Sequence, residues 1–225
     1  MFSEAANGVS WRGRALERSL EPARARSVER LERLVGAARD LANETGRAAF
    51  TVAQVTVRAG LSLKSFYRCF AGKDDLLVAL LEEDSRLGAG LLAEMVERHH
   101  EPAARVRASV IGVFDLLTHP GALGYANVLV REHRRLSENR PVQLRQALAP
   151  MIEVIESEIA EATARGACAS RDPARDAQLM FTLVLEGISD VTLGRAEPLE
   201  AAAYLWSFCW AGLSGASVEP GDECA

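Results

Sequence analysis

Apolar residues recur along this chain at intervals of three and four, the spacing that places them on one side of an α-helix. One such stripe extends from Val28 to Ala38, and a longer one extends from Leu76 to Met95. No stretch of useful length alternates between apolar and polar residues, as a half-buried β-strand would. The pattern therefore predicts an all-α fold with about nine helices.

Capping residues and glycines mark the borders of two short helices. Thr51 is followed three residues later by Gln54, a capping box that predicts a helix start. That helix is expected to end at Gly60, and Ser62 is a good N-cap for a third helix over residues 63–70. Two short helices joined by a tight glycine turn are typical of a helix-turn-helix.

Longer helices are predicted for the remainder of the chain. Lys73, Asp74 and Asp75 open the first of them, where carboxylates suit the positive end of the helix dipole. Prolines at plausible first helical positions mark several of the others. The expected ranges are roughly 73–100, 102–118, 122–137, 141–165, 173–193 and 198–213.

Basic side chains are concentrated in the first third of the chain. Residues 11–73 contain 13 Lys or Arg and 6 Asp or Glu, a local charge of +7. Residues 74–225 contain 13 basic and 24 acidic side chains, a local charge of −11. This asymmetry is typical of a basic domain that binds nucleic-acid phosphates and is attached to an acidic domain that does not. Chance clustering of arginine is the alternative.

The third predicted helix has two different faces. At 100° per residue, Lys64, Tyr67 and Arg68 fall within one sector of about 100°, and Phe66 and Phe70 fall on the opposite side. The phenylalanines would anchor the helix, and the polar face would suit the major groove of DNA. An ordinary amphipathic helix with a solvated face is the alternative. The preceding capped helix and the local positive charge favour DNA binding.

The segment from Thr51 to Leu77 carries a family resemblance. It contains an Ala-Gly-Leu-Ser turn, then Phe-Tyr-Arg-x-Phe, then Lys-Asp-Asp-Leu-Leu, in a fixed order and spacing. Residues 28–82 thereby resemble the DNA-binding domain of the TetR family of bacterial repressors. The resemblance covers about a quarter of the chain, and the predicted helices of the remainder also fit that family.

The resemblance implies a one-component transcriptional regulator, in most cases a repressor, that binds palindromic operator double-stranded DNA and is released by a small-molecule effector. It also implies which residues face the DNA. They are Thr51, Ser62, Lys64, Ser65, Tyr67, Arg68 and Lys73. Two departures stand out. Cys69 replaces the usual His or Tyr, and Leu63 and Lys64 replace a polar and a small residue, so the base preference is expected to be unusual.

The remaining helices are expected to bind the effector and to form a homodimer, because helix-turn-helix proteins usually bind DNA as dimers. Apolar and aromatic candidates for the effector pocket indicate a hydrophobic effector. They are Phe114, Tyr125, His133, Met151 and Phe181. Two nearly all-apolar helices at the end of the chain are the candidate dimer interface. Its residues are Leu183, Gly187, Val191, Trp206 and Trp210.

The chain is thus expected to comprise a flexible arm over residues 1–23, a DNA-binding domain over 24–73, an effector-binding and dimerisation domain over 74–218 and a flexible tail over 219–225. Four scattered cysteines indicate a cytoplasmic protein with reduced thiols. No apolar stretch is long enough to be expected to span a membrane. No cofactor is expected.

The sequence gives less support to two other classes of function, a metalloenzyme and an architectural DNA-binding protein. The pair Glu97-x-x-His100 is half of the di-iron signature of ferritin-like helical metalloenzymes, but no second Glu-x-x-His follows. No P-loop, dinucleotide-binding or hydrolase motif is present either, so catalysis is not expected. A non-specific architectural DNA-binding protein would be basic throughout, which the acidic body opposes.

Overall fold

The structure of the protein, a computed structural model, describes residues 10–119 and 122–215, with side chains for all of these except residues 12–17 and 116. The described residues form nine α-helices and no strand, which confirms the predicted all-α fold. The helices are α1 Trp11–Thr45, α2 Val52–Ala59, α3 Leu63–Tyr67, α4 Lys73–Glu97, α5 Pro102–Leu117, α6 Ala122–Asn139, α7 Pro141–Ala164, α8 Pro173–Thr192 and α9 Pro198–Ser214.

The first helix begins earlier than the sequence predicted. Residues 11–23 were expected to belong to an irregular arm, but they are helical and continue into α1 across Pro22. The segment is rich in Ala, Arg, Leu and Glu, which have high intrinsic helix propensity, and the side chains described in it, at residues 11 and 18–23, are all exposed, so no apolar stripe is required. The rest of the predicted arm, residues 1–9, and the predicted tail, 219–225, lie outside the described residues.

The first core holds α1 to α4 together. Phe66 of α3 is fully buried, and it packs in one cluster with Leu34 of α1, Val55 of α2 and Leu76 of α4. Residues of α6 and α7 complete this cluster, so the N-terminal helices rest directly on the larger C-terminal part. The recognition helix predicted from sequence is therefore anchored rigidly to the body.

The second core joins α5, α7, α8 and α9. Phe114 of α5 is fully buried at its centre. A Cβ atom added to Gly187 of α8 would lie 2.9 Å from Cζ of Phe114, so a larger residue at this position would require the Phe114 ring to shift. None of the described helices is both long enough and apolar enough to cross a membrane.

Helix α4 connects the two cores, but its apolar stripe does not remain buried. Leu76 to Leu81 belong to the first core, and Leu92 and Val96 are also buried. Leu87 and Leu91, which the sequence placed on the same stripe, are 59% and 45% exposed. At about 100° per residue these two leucines still lie on the face of Leu76 and Leu80, and they are exposed because this part of the face borders a cavity.

Candidate functional site

The turn between α2 and α3 has the conformation that its glycine predicts. Gly60 has φ +63°, in the left-handed region that favours glycine, and its N–H donates to the carbonyls of Thr56 and Val57. Arg33 of α1 donates from Nε and Nη2 to the Ala59 carbonyl, at 3.0 and 2.6 Å. This arginine fastens α1 to the helix-turn-helix, and no local sequence pattern revealed it.

Both predicted N-caps are present. The Thr51 hydroxyl accepts from the Gln54 N–H at 3.2 Å, while the Thr51 N–H donates to Gln54 Oε1 at 2.8 Å. The Ser62 hydroxyl accepts from the Ser65 N–H at 3.1 Å. Helix α3 ends at Tyr67 and not at Phe70 as predicted, because the chain continues as a turn in which the Phe66 carbonyl accepts from two N–H groups.

The outer face of α3 is exposed as the helical wheel predicted. Lys64, Tyr67 and Arg68 are exposed, while Phe66 and Phe70 are buried. The Tyr67 ring meets the Phe66 ring edge to face, with centroids 5.3 Å apart, which restricts the tyrosine without burying it. The third helix and the residue after it therefore expose the cationic side chains of Lys64 and Arg68 and the phenol of Tyr67, while Phe66 is buried beneath them.

Lys73, which the family resemblance places at the DNA, contacts other parts of its own chain in the structure. Its Nζ donates to the Ala48 carbonyl and lies 4.8 Å from the centroid of the Phe50 ring. Burial lowers the pKa of this ammonium group. In this conformation Lys73 fastens the loop between α1 and α2 to α4, and it would have to leave that loop to reach a phosphate.

A cavity of about 330 Å³ lies between α4, α5, α6, α7 and α8. Four of the five residues predicted for the effector pocket line it: Tyr125, His133, Met151 and Phe181. Phe114 does not, because it is buried in the second core against Gly187. The exposed part of α4 that contains Leu87 and Leu91 contributes to the cavity wall.

A hydrogen-bond network at this cavity escaped the sequence analysis. Asp84 of α4 accepts from Arg39 of α1, through Nε at 3.1 Å and Nη2 at 2.9 Å, and from the Tyr125 hydroxyl at 2.5 Å. Burial raises the pKa of the Asp84 carboxyl, and the hydrogen bonds and charge of its two partners oppose that rise. Burial and the neighbouring carboxylate raise the pKa of Tyr125, so it donates as a neutral phenol.

His133 gives the cavity an imidazole whose pKa is shifted by its surroundings. Burial lowers its pKa from the ordinary value of 6.5, and the charge of Glu186 opposes this only in part. Unfolded chains therefore take up the proton first as the pH falls below 6.5. We expect the stability contributed by neutral His133 to be complete above that pH and to be lost towards its lower, folded pKa.

Thermal melts at pH 7.5 and 5.0 test this expectation. The melting temperature of the unmodified chain should fall more between the two conditions than that of His133→Gln, whose side chain does not titrate. An equal fall in both proteins would show that His133 does not contribute to the acid sensitivity.

The predicted dimer residues are divided between two environments. Val191 is buried in the core of the same chain, so it does not lie on the outward face. A Cβ atom added to Gly187 would meet Phe114, yet Gly187 is only half-buried and lines the groove between α8 and α9. Trp206 and Trp210 stack with centroids 5.0 Å apart and pack partly against the second core. Leu183 is exposed. It shares an outward groove between α8 and α9 with two exposed aromatic side chains, Tyr204 and Phe208.

The residues of the alternative metalloenzyme do not converge. Glu97 is the last residue of α4, and both it and His100 are exposed. Among the described residues, no three His, Cys, Asp or Glu side chains are grouped so that they could hold a metal ion. The geometry therefore gives this alternative no support.

Comparison with known proteins agrees with the geometry of the N-terminal helices. The model of the family described as bacterial regulatory proteins, tetR family, matches residues 34–80, from α1 into α4. No curated protein matches the sequence of the chain.

Solved structures match over most of the fold. FadR from Bacillus subtilis, in complex with stearoyl-CoA, is 19% identical with a TM-score of 0.64, over 82% of this chain and 98% of FadR. A putative TetR-family transcriptional regulator from Rhodococcus sp. is 22% identical with a TM-score of 0.64, over 83% of this chain and all of that one. RolR in complex with resorcinol is 18% identical with a TM-score of 0.61, over 82% of this chain and 89% of RolR. The resemblance of this chain to the TetR family of transcriptional regulators, in sequence over residues 34–80 and in fold over four fifths of its length, is thereby confirmed.

Proposed function

We propose that the protein is a dimeric repressor that binds a palindromic operator through α3 and leaves it when a small apolar effector occupies the cavity. The exposed face of α3, with Lys64, Tyr67 and Arg68 on a helix anchored by Phe66, is the observation that carries the DNA-binding part. Lysine and arginine donate to guanine edges and phosphates in the major groove. Ser62 and Ser65, at the start of α3, and Thr51, at the start of α2, complete the DNA-facing surface.

The effector part of the proposal rests on the cavity. A mostly apolar cavity with a few polar groups is the usual form of a small-molecule site. FadR and RolR, which share the fold, are described with stearoyl-CoA and resorcinol bound. The Arg39–Asp84–Tyr125 network supports a link to DNA, because it connects the cavity to α1 of the DNA-binding domain.

The dimer follows from the spacing of operator half-sites. Two recognition helices have to lie about 34–36 Å apart, or a multiple of that, to enter successive major grooves on one face of DNA. The groove between α8 and α9, with Leu183, Tyr204 and Phe208 exposed, is the apolar surface that we assign to the second copy. Helix α4 begins beside α3 and reaches the cavity, so its displacement would change that spacing.

Selection of bound DNA from a random library tests the DNA-binding part. We expect a palindromic site, and Lys64→Ala or Arg68→Ala should each weaken binding to it by about tenfold, since a lost base contact costs about 1–3 kcal/mol. The same variants should lose less affinity for random DNA. Arg165→Ala, which removes an exposed positive charge on α7, is the matched control and should bind the selected site normally. Equal losses on selected and random DNA would show that α3 does not read bases.

The Lys73→Ala variant is expected to change both DNA affinity and stability. The phosphate contact expected from the sequence would weaken binding to all DNA alike. Because Lys73 also bonds to the Ala48 carbonyl, we expect this variant to lower the melting temperature as well. A melting temperature equal to that of the unmodified chain would contradict the fastening role.

A further inference from the structure

The walls of the cavity restrict the chemistry of its ligand. Most lining residues are Leu, Val, Ile, Ala, Met or Phe, and the lining contains no lysine or arginine among the described residues. The polar side chains are few: Asp84, Ser85, Tyr125 and His133. Asp84 and Tyr125 already bond to one another, so the hydroxyl proton of Tyr125 is taken.

Ser85 is a buried hydroxyl without a partner. Its side chain is 4% exposed, and its Oγ forms no hydrogen bond with any described residue. Buried hydroxyl groups are nearly always hydrogen-bonded, and leaving one unpaired costs about 1–3 kcal/mol. By contrast Ser109, which is equally buried on α5, donates to the Val106 carbonyl at 2.8 Å. Ser85 is thus a residue of the cavity wall with a buried hydroxyl that has no partner among the described residues.

The charges around the cavity oppose an anionic ligand. Asp84 lines it, and Glu83 lies beside Asp84. Within the described part of the chain, the cation paired with them is Arg39, which is 2.9 Å from Asp84 and 3.2 Å from Glu83 and is therefore already engaged. Burial lowers the pKa of His133, which favours the uncharged imidazole near neutral pH. A carboxylate or phosphate entering here would lose water without gaining a countercharge.

We infer that the cavity takes an uncharged, largely apolar molecule with one hydrogen-bonding group, and that this group bonds to Ser85. The inference rests on the proposed effector role of the cavity. An engineered apolar cavity of about 150 Å³ holds benzene, so about 330 Å³ accommodates two fused rings. A neutral aromatic or alicyclic alcohol fits this description, whereas a fatty acid or an acyl-CoA does not.

Three probes that share one ring system separate the contributions of apolar contact, hydrogen bonding and negative charge to the affinity. They are naphthalene, 2-naphthol and 2-naphthoate, and their binding to the full chain is measured by equilibrium dialysis at pH 7.5. We expect 2-naphthol to bind about fivefold more tightly than naphthalene, as one hydrogen bond allows, and at least about tenfold more tightly than 2-naphthoate. Ala126→Leu, which fills the cavity, should weaken all three, and Ala122→Leu replaces it if that variant does not fold.

The serines provide the matched variants. Ser85→Ala should abolish the preference for 2-naphthol over naphthalene and raise the melting temperature, because it removes the unpaired hydroxyl. Ser109→Ala should leave the preference intact, since its hydroxyl is already bonded and it does not line the cavity.

The outcomes separate the inference from the proposed function. Tightest binding of 2-naphthoate, an unchanged preference in Ser85→Ala, or binding of no probe would overturn the inference. Binding of 2-naphthol in the cavity with the expected preferences, but without any effect on affinity for the selected DNA, would support the inference and contradict the effector role.

Discussion

We expect Phe208→Glu to separate the two copies of the proposed dimer and to abolish binding to the proposed operator. Phe208 is 64% exposed on α9 and shares its groove with Leu183 and Tyr204. In the proposed dimer this ring is covered by the second copy, so a carboxylate in its place would be buried without a partner. An aromatic hot-spot residue at the centre of an interface contributes about 2 kcal/mol or more, so the dimer dissociation constant should rise at least about thirtyfold.

Sedimentation at micromolar concentration measures this effect. Val142→Glu is the matched control, because Val142 is similarly exposed, at 59%, but lies on α7 outside the groove. We expect that control to remain dimeric and to bind the operator. A dimeric Phe208→Glu protein would place the interface elsewhere, and a monomeric unmodified chain would overturn the dimer altogether.

The second large effect is expected from Asp84→Ala. This change leaves the Arg39 guanidinium with Glu83 alone and removes the acceptor of the Tyr125 hydroxyl. Removing one partner of a buried pair costs about 3–5 kcal/mol, and because the side chain of Arg39 is 26% exposed we expect a smaller loss, of about 2 kcal/mol, in the free energy of unfolding. Chemical denaturation measures that loss.

The same variant should weaken the coupling between ligand and DNA. If the network transmits the effect, a cavity ligand and the operator lower each other's affinity by one common factor, because linkage is reciprocal. Calorimetry of a cavity ligand, with and without saturating operator, gives that factor. We expect it to fall towards one in Asp84→Ala.

Glu158→Ala is the control that separates stability from coupling. Glu158 pairs with Arg105 through two hydrogen bonds of 2.8 Å, with side chains exposed to a similar extent, but it does not line the cavity. It should lose comparable stability and keep the coupling factor of the unmodified chain. An unchanged factor in Asp84→Ala would show that the effector acts by another route.

Most helix borders could be predicted from the sequence because they depend on interactions within a few residues. Thr51 and Gln54 form a capping box, Gly60 supplies the left-handed turn, and the prolines stand at first helical positions. The exposed face of α3 was also predictable, since Phe66 and Phe70 are four residues apart and both are buried, although the helix itself ends at Tyr67. The start of α1 was missed because periodicity reports burial, and residues 18–26 have no buried side chain.

What remained hidden is the pairing of distant residues. Arg39 and Tyr125 meet Asp84 across 45 and 41 positions of sequence, and no local pattern marks such partners. Composition indicated an apolar pocket, yet it could not separate Phe114, which fills the second core, from Phe181, which lines the cavity.

The apolar helices α8 and α9 are another case in which the sequence predicted burial but not which side of the helix is buried. Their composition predicts that they are buried on more than one side. Which side meets the chain's own core was decided in the tertiary structure, where the absence of a side chain at Gly187 lets α8 close on Phe114 and leaves Leu183 outside. Hydrophobicity is a property of each residue, whereas the direction in which a helix buries it depends on the shapes of the helices packed against it.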